Sequence, residues 1–118
     1  NNSRMITLEG IDPKMIANNL TPFEPTHPGE MIKDEVEYRG LSQKKLAAEM
    51  GMSPSLLNEI LNGRRRVSTE YALLFEAVLG IDANVWIRMQ ADYDMQVAKS
   101  DKSFMERLAN IRKVAAVL

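Results

Sequence analysis

The stretch Leu41–Arg66, LSQKKLAAEMGMSPSLLNEILNGRRR, decides how the chain reads. Ser42 can cap a short helix in which Leu46, Ala47 and Met50 recur on one face at helical spacing. Gly51 then stands where that helix must stop and the chain must turn, a place glycine fills without a Cβ penalty. Ser53-Pro54 restarts a helix as cap and first helical residue. Asn62-Gly63 ends it, and Arg64, Arg65 and Arg66 follow at once. On a wheel of about 100° per residue, Leu56, Leu57, Ile60 and Leu61 fill one arc of this second helix. Pro54, Ser55, Asn58, Glu59 and Asn62 fill the opposite arc. A helix divided in this way buries one face and shows another that is small, hydrogen-bonding and weakly charged.

Toward the N-terminus, Pro28-Gly29-Glu30 places a proline and an acid in the first turn of a helix running to about Tyr38. Met31, Ile32 and Val36 form its stripe, and Gly40 ends it. Residues 5–26 are less helical. Met5–Leu8 alternates like a short strand able to extend a partner's sheet, and Asp12-Pro13 can cap a brief helix through Ala17. Asn18-Asn19, Thr21-Pro22 and Glu24-Pro25-Thr26 are loop signals. Asn1–Arg4 look like an expression remnant or a processed leader, since Met5 would make a natural start.

Toward the C-terminus, Ser68 can cap a fourth helix to about Leu79. Between them Tyr71–Phe75 and Ala77–Leu79 leave almost no polar face, so this helix calls for cover on every side, including from another chain. Asp82 caps a fifth helix striped by Val85, Trp86, Met89, Tyr93 and Val97, with a thinner stripe of Ile87, Ala91 and Ala98. Asp101 breaks the pattern, and Ser103 with Glu106 reads as a capping box. Phe104, Leu108, Ile111, Ala115 and Leu118 then align to the end, as an apolar face fit for a groove or for exchange within a dimer. The expectation is an all-α protein: an N-terminal extension over 1–26, a helical body over 27–98 and an amphipathic tail over 99–118.

At 118 residues the chain is about one domain long, with 45% apolar and 26% charged residues, an ordinary globular composition. Aromatics are 6% against eight methionines, so aliphatic and thioether groups must build the core. The absence of cysteine excludes disulfides and thiolate chemistry and fits a cytoplasmic chain. No apolar run approaches the roughly 20 residues of a membrane span. Net charge is −1, but its distribution is uneven. Residues 1–40 carry four basic and seven acidic groups (−3), and 41–70 carry five and three (+2). Residues 71–98 carry one and four (−3), and 99–118 carry five and two (+3). Positive charge therefore gathers on the central stretch and the tail, as a local footprint for a polyanion requires.

Enzymatic chemistry has little to work with. His27, the single histidine, precedes a proline at a helix start, where it serves as a cap or packing group. No second histidine or cysteine exists for a triad or zinc site. Glu35/Glu37 and Asp92/Asp94 lie on different helix faces, and the six glycines are scattered as punctuation rather than gathered in a phosphate loop. No catalytic, cofactor or metal site is expected. Trp86 and Tyr93, at helical spacing, belong to a core or dimer interface.

One family matches the order and spacing of these signals. Thr26-His27-Pro28-Gly29-Glu30 is followed by Leu41-Ser42-Gln43, Leu46-Ala47, Gly51, Asn58-Glu59-Ile60 and Asn62-Gly63-Arg64-Arg65. Ala77, Leu79-Gly80, Trp86, Gln90 and Tyr93-Asp94 complete the series. Over about residues 26–98 the chain resembles the HigA-type antitoxins, Xre-like repressors of type II toxin–antitoxin modules. The resemblance implies a compact five-helix, λ-repressor-like helix-turn-helix domain that dimerises on a palindromic operator upstream of its own operon. It also implies a HigB-type toxin partner, a ribosome-dependent mRNA interferase that the antitoxin silences. The extension and the tail lie outside the match.

In this motif the second of the paired helices enters the major groove with its N-terminal residues at base edges. That assigns Ser53, Pro54, Ser55, Asn58 and Asn62 to the groove face, with Asn58 the best reader because its amide pairs both edges offered by adenine. Gln43 would donate to a backbone phosphate or brace the groove helix. Lys44, Arg64, Arg65 and Arg66 would neutralise phosphates, which positions the protein without reading sequence. Leu56 either packs internally or touches a thymine methyl. Glu59 would repel phosphate unless it accepts from a cytosine amine. Two other functions stay open: an Xre-type transcriptional repressor with no toxin partner, and an interaction module that no longer binds DNA and only sequesters a protein.

Overall fold

The computed structural model describes residues 25–118. The brief helix read at Asp12–Ala17 and the alternating Met5–Leu8 segment lie outside the described residues. The described chain forms six helices: α1 (Pro28–Tyr38), α2 (Gln43–Met50), α3 (Pro54–Leu61), α4 (Thr69–Leu79), α5 (Ala83–Lys99) and α6 (Lys102–Ala115). This is the all-α architecture expected, a five-helix body with an amphipathic tail helix. No helix among the described residues is long and apolar enough to cross a membrane.

Each start is set by a side chain that satisfies an orphan backbone donor. Ser42, Ser53 and Ser68 accept from the N–H groups of Lys45, Leu56 and Tyr71, and Asp82 accepts from Asn84. The turn between α2 and α3 closes on Gly51, whose φ of 72° is left-handed. The Met52 N–H then reaches back to the Ala47 carbonyl at 3.0 Å, so the last turn of α2 is capped without a side chain.

The core is assembled from one face of each helix. Ile32 and Val36 of α1, Leu46 and Ala47 of α2, and Leu57, Ile60 and Leu61 of α3 meet Phe75 of α4 and Trp86 of α5. Full burial of each large aliphatic or aromatic group contributes about 1.5–3 kcal/mol, so α3 is held chiefly by three residues on its inner arc. Where α1 meets α3 the backbones nearly touch. A Cβ built on Gly29 would stand 1.8 Å from the Ile60 carbonyl oxygen, a position only glycine can occupy.

Two expectations change. The tail helix starts two residues early: Asp101, extended at φ −84° and ψ 103°, accepts from the Phe104 N–H at 3.0 Å. The Ser103/Glu106 box therefore does not form the start, because the preceding aspartate already fills the cap while Ser100 closes α5. The second is the cover of helix α4, which its own chain supplies only in part: Ala72, Phe75 and Leu79 are buried and Tyr71, Leu74 and Val78 pack half-buried against the core, whereas Leu73 is 53% exposed.

Candidate nucleic-acid interface

Helix α3 lies across the body with its inner arc sealed and its outer arc open. Ser53, Pro54, Ser55 and Asn58 are all exposed, as the wheel requires. The Ser53 hydroxyl oxygen is occupied by the cap, accepting from Leu56 N–H at 3.1 Å, and its hydrogen remains free to donate outward. Leu56 is half-buried and packs against the core. Gln43 opens α2, half-buried, while Lys44 beside it is exposed.

Asn62 sits differently. It caps the C-terminal end of α3, half-buried, with its amide nitrogen donating to the Asn58 carbonyl at 2.8 Å and its amide oxygen accepting from Lys33 Nζ at 3.1 Å. Both ends of the amide thus fasten α3 to itself and to α1. Lys33 is the residue the sequence reading missed. It stands 29 positions away, so no local pattern could place it here.

The three arginines following α3 are all exposed but not equivalent. Arg65 donates from Nε and Nη2 to one oxygen of Glu59, at 3.1 and 3.0 Å. Glu59 is thereby engaged by its own neighbour, an arrangement neither alternative for it had anticipated. Arg66 donates to both carboxylate oxygens of Asp94 on α5, at 3.4 and 2.9 Å. Arg64 has no carboxylate partner among the described residues. The Arg66 hydrogen bond is the main reason the Asp94 carboxyl is held below its ordinary pKa.

Behind the arginines, α5 supplies a brace. Gln90 accepts from the Val67 N–H and donates to Asp94 at 3.0 Å, and Tyr93 meets His27 edge to face with ring centroids 5.0 Å apart. His27 caps α1: its Nδ1 accepts from the Gly29 N–H at 2.9 Å, so the ring proton belongs on Nε2. Burial is the main cause that lowers the His27 pKa, since the charged ring would lose solvent. Trp86 fills the core, and Gln90, Tyr93 and Asp94 tie the arginine segment and the start of α1 to one helix.

The known proteins agree with this geometry. A helix-turn-helix family model matches residues 32–86, which span α2, the Gly51 turn and α3. Over 77 residues the chain is 39% identical to virulence-associated protein I of Dichelobacter nodosus, covering 64% of this chain and 71% of the relative. An addiction-module antidote protein of the HigA family from Coxiella burnetii superposes with a TM-score of 0.63 at 29% identity, over 71% of this chain and 95% of that one. A Pseudomonas aeruginosa protein solved in complex with its 18-bp operator DNA superposes with a TM-score of 0.61 at 27% identity, over 64% and 83%. The chain belongs to the helix-turn-helix family of DNA-binding regulators.

Proposed function

We propose that the chain is a HigA-type antitoxin that represses its own operon by binding operator DNA as a dimer and silences a HigB-type toxin. The observation that carries the DNA half is the division of α3. Its inner arc is sealed by Leu57, Ile60 and Leu61, and its outer arc presents Ser53, Pro54, Ser55 and Asn58, beside a segment of three exposed arginines. A surface with hydrogen-bonding groups and almost no charge reads base edges, and cations set beside it neutralise phosphates. Asn58 is the base reader. Arg64, with no carboxylate on it, is the principal phosphate contact, while Arg65 and Arg66 act as held charges and Lys44 extends the footprint across the first helix of the motif. Gln43, half-buried at the start of α2, donates to a backbone phosphate or braces α3, and Asn62 secures the far end of α3 rather than reading bases. The toxin half is supported by the likeness to the HigA-family antidote protein.

Fluorescence anisotropy against the DNA upstream of its own gene tests the first half. Asn58→Ala should abolish the preference for that DNA over a scrambled duplex. Arg64→Ala should weaken both duplexes equally and reduce the salt slope by about 1. Full operator affinity in both variants would remove α3 from the groove. Co-purification with the product of the adjacent gene tests the second half, and a repressor that binds its operator but retains no neighbour is the Xre-type regulator without a toxin.

A further inference from the structure

Helix α6 carries Phe104, Leu108, Ile111, Ala115 and Leu118, steps of four and three that keep a 3.5-residue seam along one side. No residue of the helix is buried, and Ile111 is 52% exposed. Arg107 and Arg112 flank the seam, and neither forms an ion pair among the described residues. A second α6 laid along this seam, parallel or antiparallel, would set arginine against arginine. The face that complements α6 must be apolar and rimmed with acids.

The chain presents such a face on α4. Leu73 and Ala77 are exposed one turn apart, and the wheel places them between Glu70 and Glu76. Both glutamates are exposed and without ion pairs among the described residues. Along the helix axes the two glutamates are about 9 Å apart and the two arginines about 7.5 Å, close enough to meet in pairs. Within one chain α6 packs against α5 and leaves Leu73 open.

We infer that α6 docks on the α4 face of a second copy of this chain, with Arg107 and Arg112 against that copy's Glu70 and Glu76. Each chain offers one basic helix and one acidic strip, so the exchange is reciprocal and closes around a two-fold axis. This contact deepens the proposed dimer and rests on that proposal for its orientation on a palindrome, but its residues lie outside the DNA face.

Light scattering and sedimentation of the full chain at micromolar concentration provide the test, with circular dichroism confirming that each variant stays folded. The chain should be a dimer. Arg107→Glu with Arg112→Glu should raise its dissociation constant ~tenfold or more, because like charges then oppose each other, and Glu70→Arg with Glu76→Arg should do the same. Combining all four should restore the dimer. A monomeric wild type, or four substitutions that fail to restore what two removed, overturns the exchange. Loss of half-site DNA binding with charge-swap rescue intact leaves the exchange supported and counts only against the groove assignment.

Discussion

The Oε1 atom of Gln90, on α5, accepts a 2.7 Å hydrogen bond from the main-chain N–H of Val67, the first residue past the arginines. Val67 and Gln90 are both buried, so this donor has no access to water. Gln90 passes its own amide N–H to Asp94, which in turn receives Arg66. The direction in which the arginine segment leaves α3 is thus fixed from α5, 23 residues further along the chain.

Removing the Gln90 amide should therefore cost stability and DNA affinity together. Gln90→Ala leaves the Val67 N–H buried and unpaired, a loss of about 1–3 kcal/mol. Urea denaturation should show a lowered midpoint with an unchanged slope. Operator affinity measured well below that midpoint should also fall, because the Val67 main chain and the Asp94 carboxylate that hold the arginine segment both lose their Gln90 anchor.

The contact between Gly29 and Ile60 predicts a steeper penalty. Gly29→Ala drives a methyl into the Ile60 carbonyl, and α1 and α3 must separate, at a cost of ~3 kcal/mol or more. Gly40→Ala is the control: its φ of 67° is left-handed but nothing lies within 4 Å, so about 1–2 kcal/mol is expected. Equal denaturation midpoints for the two variants would contradict the close approach.

Glu59 and Arg65 predict a gain. Glu59→Gln frees the arginine and removes a negative charge beside the DNA face. Affinity for operator and scrambled duplex should rise alike, with a steeper salt slope. Folding stability should change by no more than about 1 kcal/mol, since both side chains are largely exposed.

Acid should loosen the body in two stages. His27 has its pKa lowered below 6.5 by burial, so the unfolded chain binds its proton first. The His27 contribution is complete above pH 6.5 and is lost as pH falls from there through the lower folded value. Asp94, lowered from 3.8 mainly by Arg66, behaves likewise but only below that value. Urea midpoints between pH 7 and 5 should fall for the wild type. His27→Asn keeps a capping acceptor without a titrating ring and should flatten the curve over that range.

What the sequence disclosed was local. Ser42, Ser53, Ser68 and Asp82 cap as expected because each acts on an N–H two or three residues away. The divided wheel of α3 was legible for the same reason: Leu57, Ile60 and Leu61 all turn inward. Long-range pairs left no such trace. Lys33 with Asn62 and Arg66 with Asp94 join residues 29 and 28 positions apart, and only the packing of α1 on α3 and of α5 on α1 and α4 brings them together. At the start of α6 two local signals compete. Asp101 lay nearer the end of α5 than Ser103, and an extended residue with a carboxylate there was enough to begin the helix.

The outer residues of α3 share few duties with the scaffold. Pro54, Ser55 and Asn58 point away from a frame fastened by Gly29, Asn62, Gln90 and the inner leucines. The vocabulary of this surface is therefore separable from its mounting. Transplanting those three positions from a relative with another operator should transfer its DNA preference while the melting behaviour of this chain stays its own.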